Sequence, residues 1–165
     1  MTSQTNVPTR VPTRVFQHRS LMPTTLERLW AFHDDPGALA VLTPPPVFVR
    51  VLRDDRSSLT EGEIEFQLWF GPFPAYWHAR HEPGPIATSF IDRMLKGPAL
   101  VWVHEHLMQP AEGGVELVDR ITIAHRPGGF WGLFTRLFFD GLPLRLLFMY
   151  RHWRTRRAVT GLNHS

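Results

Sequence analysis

The chain of 165 residues is long enough for one compact domain with a sizeable core, and two ordinary domains would be cramped. Its composition, 43% hydrophobic with 20% charged residues, excludes a disordered or fibrous protein. Because cysteine is absent, a disulfide scaffold, thiol chemistry and a cysteine-ligated metal cluster are excluded as well.

The net charge of +3 comes from the two ends of the chain. Residues 1–20 contain three arginines and residues 141–165 contain five, and neither segment contains an acid. The residues between them hold all 15 acids and are net negative. A basic total built in this way is weak evidence for a nucleic-acid surface, so we expect no nucleic-acid partner.

The first 14 residues repeat Val-Pro-Thr-Arg and predict a flexible tail. No apolar run typical of a secretory signal follows. The most apolar stretch, residues 133–150, contains Arg136, Asp140 and Arg145, which argues against a membrane span. We therefore expect a cytoplasmic protein with a single domain over residues 15–157 and a short C-terminal tail over residues 158–165.

The predicted elements begin with a strand over residues 15–21. Thr24 or Thr25 then caps a helix that ends at Asp34-Asp35-Pro36, and Asp35 caps a second, short helix over residues 38–42. Six strand-like segments follow, separated by turns rich in glycine and proline, which predicts an antiparallel meander. They cover residues 47–53, 63–70, 75–82, 88–95, 100–108 and 115–124.

A helical segment is predicted from Phe130 to about Arg157, with a break near Gly141 to Pro143. In its second half we expect the sheet to be faced by Leu146, Tyr150 and Trp153. The outward positions are then Arg145, His152 and Arg156. Since a seven-stranded antiparallel sheet cannot bury its apolar face alone, we predict an α+β architecture in which the sheet wraps around this helix and leaves a cavity between them.

A polar cluster is predicted on the last three strands. His104 and His106 are two residues apart, so their side chains leave the same face of their strand as Trp102. Asp92 and Asp119 on the flanking strands could point to that face too. The group could act as a general base with its orienting carboxylate, as a polar anchor for a ligand, or as part of a metal site.

Two considerations limit the cluster's interpretation. Spacing dictates no further metal ligand, so we expect neither a metal nor a cofactor. The competing structural interpretation is a cross-strand ladder that holds the strands in register and adds Arg93, Glu105 and Arg120.

Aromatic residues are abundant, at 12% of the chain. Most must belong to an ordinary core, but a sheet around a helix encloses more volume than a flat sandwich, and large apolar cavities are the usual small-molecule sites. The candidate ligand-contact residues are Phe66, Phe70, Trp77, Phe90, Trp102, Phe138, Leu142, Leu146 and Tyr150.

The end of the predicted C-terminal helix is rich in arginine, at Arg151, Arg154, Arg156 and Arg157. A solvated helix end, where cations are favoured by the helix dipole, is the first interpretation. Weak attraction to an anionic lipid surface comes second, because the preceding segment is apolar. Nucleic-acid binding comes last, since no recognisable binding motif accompanies the charge.

Several motifs in fixed order resemble the ligand-binding, polyketide cyclase-like branch of the START-related helix-grip (SRPBCC) superfamily. They are Gly71-Pro72-Phe73-Pro74-x-x-Trp77, Phe90-x-Asp92-x-Met94-x-x-Gly97-Pro98, Trp102-x-His104-x-His106, Asp119-Arg120, Pro127-Gly128 and Phe148-x-Tyr150-Arg151. The resemblance extends from Val15 to about Trp153 and implies the helix-grip fold. One departure is Ala99, where that branch often has an aromatic residue.

The resemblance implies a protein that binds a small hydrophobic molecule, aromatic or lipid-like, between sheet and C-terminal helix. An alternative is an enzyme of the cyclase or dehydratase type, with His104 or His106 as base and Asp92 or Asp119 as its orienting carboxylate. A further alternative is a membrane-surface or partner-binding protein that uses the basic C-terminal helix. Ligand identity and oligomeric state stay open at this level.

Overall fold

The structure is a computed structural model that describes residues 11–161. Residues 1–10 and 162–165, which belong to the two expected tails, lie outside the described residues. The last helix continues to Thr160, three residues beyond the end expected for the domain.

Within residues 11–161, seven strands and four helices follow one another in the order that the sequence predicts. They are β1 (Arg14–Met22), α1 (Leu26–Asp34), α2 (Ala38–Val41), β2 (Phe48–Asp54), β3 (Gly62–Phe70), β4 (Phe73–Pro83), β5 (Ser89–Lys96), β6 (Val101–Ala111), β7 (Gly114–Ala124), α3 (Gly129–Phe138) and α4 (Gly141–Thr160). The strands form one antiparallel sheet in the order β1-β7-β6-β5-β4-β3-β2. The α+β prediction is therefore confirmed.

Strand β3 illustrates how the pattern positions the sheet. Ile64 and Phe66 are buried on its inner face, whereas the alternating Glu63, Glu65 and Gln67 are only half-buried on the other.

The residues that cap the two short helices differ slightly from expectation. Thr25 caps α1 through its hydroxyl, but Gly37 rather than Asp35 is the N-cap of α2.

The C-terminal helical segment is broken, but at Phe139 and Asp140 rather than at Gly141 to Pro143, which form the first turn of α4. Helix α3 ends at Phe138, and α4 begins again at Gly141 after Asp140, whose carboxylate accepts a hydrogen bond from the Gly141 N–H. None of the helices described in residues 11–161 is long and apolar enough to span a bilayer.

The orientation predicted for α4 is wrong at several positions. Its buried residues are Leu144, Phe148, His152, Thr155 and Val159. His152 is only 4% exposed, whereas Leu146 and Trp153, expected to face the sheet, are about half exposed at 53% and 49%. The rotation follows from a tertiary contact, because His152 hydrogen-bonds to the buried carboxylate of Asp119 on the sheet.

The core is divided into two clusters. One lies beneath α3 and α4 and includes Trp77, Trp102 and Phe148. The other lies beneath α1 and includes Leu29 and Phe90. The polar residues of β6 and β7 lie between them, since the His104 ring contacts Phe148 and the His106 ring stacks on Phe90.

Candidate functional site

A cavity of about 610 Å³ lies between the concave face of the sheet, the segment after α2, and helices α3 and α4. Strands β3, β4 and β6 contribute large apolar side chains to its wall, and the helices contribute the opposite side. Phe138 and Leu146 belong both to this wall and to the exposed surface, so the cavity opens beside them.

Seven of the nine candidate ligand-contact residues line this cavity: Phe66, Phe70, Trp77, Trp102, Phe138, Leu146 and Tyr150. The other two lie elsewhere. Phe90 is fully buried in the cluster beneath α1, with its ring 4.2 Å from that of His106. Leu142, in the first turn of α4, is 65% exposed. Residue parity predicts the face of a strand but not which end of that face borders the cavity.

The polar side chains in the cavity wall are few. Asp92 on β5 and His104 on β6 are directly paired across the sheet, and both contribute to the wall. Arg151 and Tyr150 reach it from α4. The sequence places Arg151 in a solvated helix end, whereas its side chain is half-buried at the cavity. Arg151 is close enough to Asp92 and His104 to interact electrostatically with both, so these three groups form a polar end beside a mostly apolar wall.

Asp119 lies behind this wall and organises the polar cluster. Its Oδ1 lies 2.8 Å from His104 Nε2, and its Oδ2 lies 2.7 Å from His152 Nε2. All three side chains are buried. An ionised carboxylate can only accept hydrogen bonds, so both imidazole nitrogens must carry a proton and donate it to Asp119.

His106 is also close to this carboxylate but is held differently. Its Nδ1 lies 2.9 Å from Asp119 Oδ1, yet the groups are not aligned for a hydrogen bond, so this buried nitrogen has no hydrogen-bond partner in the described part of the chain. The ring packs between Phe90 and His33 rather than in the cavity wall. Of the two candidate bases, only His104 faces the cavity.

His152 extends the cluster toward the edge strand of the sheet. Its Nδ1 lies 2.5 Å from the hydroxyl of Ser20 on β1, and its ring meets His18 edge-on at 4.5 Å between centroids. Sequence reasoning missed His152, Ser20 and His33. The available signal for His152 was its four-residue spacing from Phe148, which places both on one face of a helix.

Electrostatics fix the protonation states in this cluster. Burial alone would raise the pKa of Asp119, but the neighbouring His106 and His104 rings and the hydrogen bond from His104 hold that pKa well below its usual value. Burial, reinforced by His104, lowers the pKa of His106 to about 4, and burial also lowers the pKa of His104. At neutral pH an Asp119 carboxylate thus faces a neutral His104 whose Nδ1 is unprotonated.

Three residues of the cluster also offer ligand atoms suited to a divalent metal ion. The ligand atoms of His104, His106 and Asp119 all lie within 4.8 Å of one another, and two histidines with one carboxylate suit several transition metals. In the present geometry Asp119 Oδ1 accepts the His104 N–H at 2.8 Å, so an ion would have to replace that hydrogen bond.

The residues of the expected cross-strand ladder divide between the two faces of the sheet. Asp92, His104 and Asp119 form the concave cluster. On the convex face Arg93 pairs with Glu82 at 3.0 Å, and Arg120 pairs with Glu105 at 3.3 Å.

Comparisons with known proteins agree with the architecture. No protein-family model and no curated protein matches the chain. Among solved structures, the Zhui aromatase/cyclase from Streptomyces sp. R1128 matches with a TM-score of 0.62 and 16% identity, over 92% of this chain and 93% of that one. Ara h 8.0201 matches with a TM-score of 0.60 and 10% identity, over 92% and 97%. The chain shares the fold of these structures, a helix-grip arrangement in which one antiparallel sheet wraps around a long C-terminal helix.

A third match places the helix-grip fold within a larger protein. The nucleoside-diphosphate sugar epimerase from Corynebacterium glutamicum matches over 86% of this chain with a TM-score of 0.62 and 25% identity. This chain spans only 28% of the length of that epimerase. In the helix-grip fold described here, the cavity occupies the space between the sheet and the C-terminal helices, and the residues at its polar end come from both.

Proposed function

We propose that this helix-grip protein binds a small hydrophobic molecule, aromatic or lipid-like, in the cavity between sheet and C-terminal helices. The observation that carries the proposal is a cavity of about 610 Å³ whose wall is mostly apolar and whose polar groups gather at one end. Small-molecule sites typically have volumes of about 300–1,000 Å³ and this distribution of polar groups.

The aromatic residues of the wall favour a flat or ring-containing ligand. The Trp77 and Trp102 rings meet edge-on at 5.3 Å between centroids, and Phe139 packs edge-on against both at 6.0 and 5.4 Å. These rings hold one another in place, so a ligand would enter a pre-formed apolar surface and gain binding free energy from buried area with little ordering cost.

Titration with the neutral fluorescent probe N-phenyl-1-naphthylamine tests the proposal. Leu68→Trp adds bulk on the cavity side of β3, and Gln67→Trp adds the same side chain on the opposite face. We expect the wild type and Gln67→Trp to bind one probe per chain and Leu68→Trp to bind about tenfold more weakly or not at all. Equal binding by both variants would contradict a ligand site in the cavity.

A second candidate function is acid–base chemistry on the bound molecule, of the cyclase or dehydratase type. It is favoured by His104, which is part of the cavity wall and lies 2.8 Å from Asp119. Asp119 would position the His104 ring by accepting a hydrogen bond from His104 Nε2–H. The unprotonated His104 Nδ1 would then accept a proton from a ligand carbon next to a carbonyl group. His106, which lies outside the wall, would only position its neighbours.

Exchange of the methyl hydrogens of acetylnaphthalene in deuterated water, followed by NMR, tests this candidate without knowledge of the natural substrate. A general base contributes roughly a hundredfold or more in rate. We expect the wild type to accelerate exchange and His104→Gln to lose that acceleration, with His78→Gln on the outer face as the matched control. No acceleration by the wild type, despite binding, would favour a protein that only binds.

A further inference from the structure

The polar end of the cavity contains a guanidinium group without a partner. Arg151 lines the cavity, and within residues 11–161 its side chain makes no hydrogen bond and no ion pair. Its guanidinium carbon lies over the Phe148 ring, 5.7 Å from the ring centroid. A guanidinium group carries five N–H donors, and placing it in an apolar cavity without acceptors is unfavourable.

On the sheet side of the same cavity, Asp92 has a hydrogen-bond acceptor that lacks a donor. Its Oδ1 is buried and has no hydrogen-bond partner within residues 11–161, although the residue lines the cavity. Among the described residues, no ion pair of 4.0 Å or less joins Asp92 to Arg151. Buried polar groups are nearly always satisfied in folded proteins. The buried Asp92 Oδ1, together with the half-buried Arg151 guanidinium group in the same cavity, therefore points to a ligand that both donates and accepts a hydrogen bond.

The charges around this pair limit the ligand further. Burial lowers the pKa of Arg151, while Asp119 and Asp92 act in the opposite direction, so two carboxylates already offset its positive charge. An anionic ligand would bring a third negative charge to these carboxylates, and a cationic ligand would approach Arg151. A neutral polar group avoids both penalties.

We propose that the ligand is an uncharged, ring-containing molecule with a carbonyl-type oxygen that accepts from Arg151 and a hydroxyl group that donates to Asp92 Oδ1. The proposal rests on the proposed function and narrows it to a ligand class. The ring system of the ligand would pack on the apolar wall. At the polar end the ligand would accept one hydrogen bond and donate another, and these contacts together fix its orientation.

Four naphthalene probes with the same ring test this class: naphthalene itself, acetylnaphthalene, naphthol and naphthoate. A hydrogen bond to a charged group is worth about tenfold in affinity. Calorimetric titration of the wild type should therefore show acetylnaphthalene and naphthol each binding about tenfold more tightly than naphthalene. Naphthoate should bind less tightly than acetylnaphthalene.

Two variants should separate the contacts. Arg151→Met removes the donors and should lower acetylnaphthalene affinity to that of naphthalene while leaving naphthol affinity unchanged. Asp92→Leu should do the reverse, with Asp92→Ala, which also lacks an acceptor, available if Asp92→Leu fails to fold. Arg145→Met, an exposed arginine on the same helix, is the matched control and should change neither affinity.

The possible outcomes distinguish the two levels of the proposal. If no probe binds, the proposed ligand-binding function itself fails. If all four probes bind equally, the cavity binds ligands but Arg151 and Asp92 do not select them, and the ligand class is wrong. Tightest binding of naphthoate would show that the site prefers an anion and would also overturn it.

A separate observation concerns the outer faces of the two C-terminal helices. Large apolar side chains at helical spacing are between 49% and 68% exposed on these faces. We call them the helical apolar surface: Leu133, Leu137, Leu142, Leu146, Met149 and Trp153. Exposed apolar side chains in this number mark an interaction site, and Leu146 also lines the cavity, which places the α4 part of the surface beside the cavity opening.

Charge indicates what covers this surface. Arg145, Arg156 and Arg157 are exposed on α4, and at 100° per residue they lie on both sides of its apolar face. Residues 126–160 contain seven arginines and a single acid, Asp140, which contacts Arg14 and His125. Apolar residues flanked by arginines are typical of helices that lie in the interface of an anionic bilayer.

We infer that the helical apolar surface docks on an anionic lipid bilayer. Sedimentation with phosphatidylcholine vesicles containing about 30% phosphatidylglycerol should pull down the wild type, and pure phosphatidylcholine vesicles should not. Leu142→Glu and Trp153→Glu should each abolish sedimentation, whereas Leu52→Glu, at an exposed apolar position on β2, should not.

Two results would overturn this inference. One is the absence of sedimentation with anionic vesicles. The other is a dimer in solution that Leu142→Glu dissociates, because the surface would then be covered by a second copy of the chain. Neither result bears on the ligand class proposed above, since the naphthalene titrations are done without lipid.

Discussion

The two faces of strands β5 to β7 carry polar residues of similar type in very different environments. On the convex face, Arg120 and Glu105 pair across the strands at 3.3 Å while the arginine side chain is 39% exposed. On the concave face, Asp119, His104 and His152 are buried and joined by bonds of 2.7 and 2.8 Å. Alternation along the strands separates the two groups.

The difference in burial determines how much the polar contacts on each face contribute to stability. An exposed ion pair exchanges solvent for a partner and contributes little, because water and salt screen both charges. A buried carboxylate cannot regain water when its partners are removed. Its hydrogen bonds therefore contribute more to the free energy of unfolding, and shift pKa values more, than an equal number of exposed contacts. The concave cluster is also the one whose His104 reaches the cavity.

The largest effect is expected from Asp119→Ala. Removing this carboxylate leaves the N–H groups of His104 and His152 buried without an acceptor, and breaking a buried charged network costs about 3–5 kcal/mol. Urea unfolding should show this loss in the free energy of unfolding. A loss below about 1 kcal/mol, equal to that of Glu105→Ala on the convex face, would remove the distinction between the faces.

A pH effect of similar size is expected from the buried histidines. Burial, with His106 nearby, lowers the pKa of His33 from 6.5 to about 4, and the pKa of His106 is lowered to the same region. Between pH 6.5 and about 4 the unfolded chain binds protons that the folded chain excludes, so stability falls as the pH falls. Each such shift corresponds to about 3 kcal/mol.

Asp119 does not oppose that trend within the same window. Its depressed pKa means that its stabilising contribution is lost only as the pH falls further, through the pKa of the folded state. Urea midpoints measured from pH 7 to pH 4 should therefore decrease, and His33→Leu should flatten the decrease. If the urea midpoint of His33→Leu fell as steeply with decreasing pH as that of the wild type, the lowered pKa of His33 would not be a cause of the pH dependence.

A smaller effect is expected from Ser20→Ala. This substitution removes the hydroxyl that lies 2.5 Å from His152 Nδ1 but leaves the Asp119 contacts in place. The loss should be about 1 kcal/mol in thermal or urea unfolding. Arg19→Ala at the neighbouring, outward position of β1 provides the control and should leave the unfolding free energy nearly unchanged.

The smallest effect is expected on the convex face. Arg120→Ala removes exposed contacts with Glu105 and Gln17 and should change the free energy of unfolding by less than about 1 kcal/mol. The change should shrink further in high salt. A salt-independent loss of several kcal/mol would mean that the convex ladder matters as much as the concave cluster.

The fold was predictable from the sequence because its signals are local. Alternating residues such as Ile64 and Phe66 define strand faces, and glycine-proline turns separate the strands. The same parity argument placed His104 and Asp119 on one face, as the structure shows. These inferences need only the backbone period and the order of the strands.

The errors concern positions that tertiary contacts decide. Helix α4 is rotated so that His152 meets Asp119, a contact between residues 33 apart that no helical period reveals. Phe90 shares a face with Asp92 but lies at the end of β5 beneath α1. Arg151 looked like one of several surface arginines, and only the packing of α4 on the sheet brings it to the cavity.

The central claim is that small molecules bind in the cavity, and the tryptophan indole resonances of a nitrogen-labelled sample test it most directly. Trp77 and Trp102 line the cavity, whereas Trp153 lies on the exposed face of α4. Assigned by Trp→Phe substitution, the Trp77 and Trp102 N–H resonances should shift when acetylnaphthalene is added, and that of Trp153 should stay in place. Shifts confined to Trp153, or no shift at all, would contradict the claim.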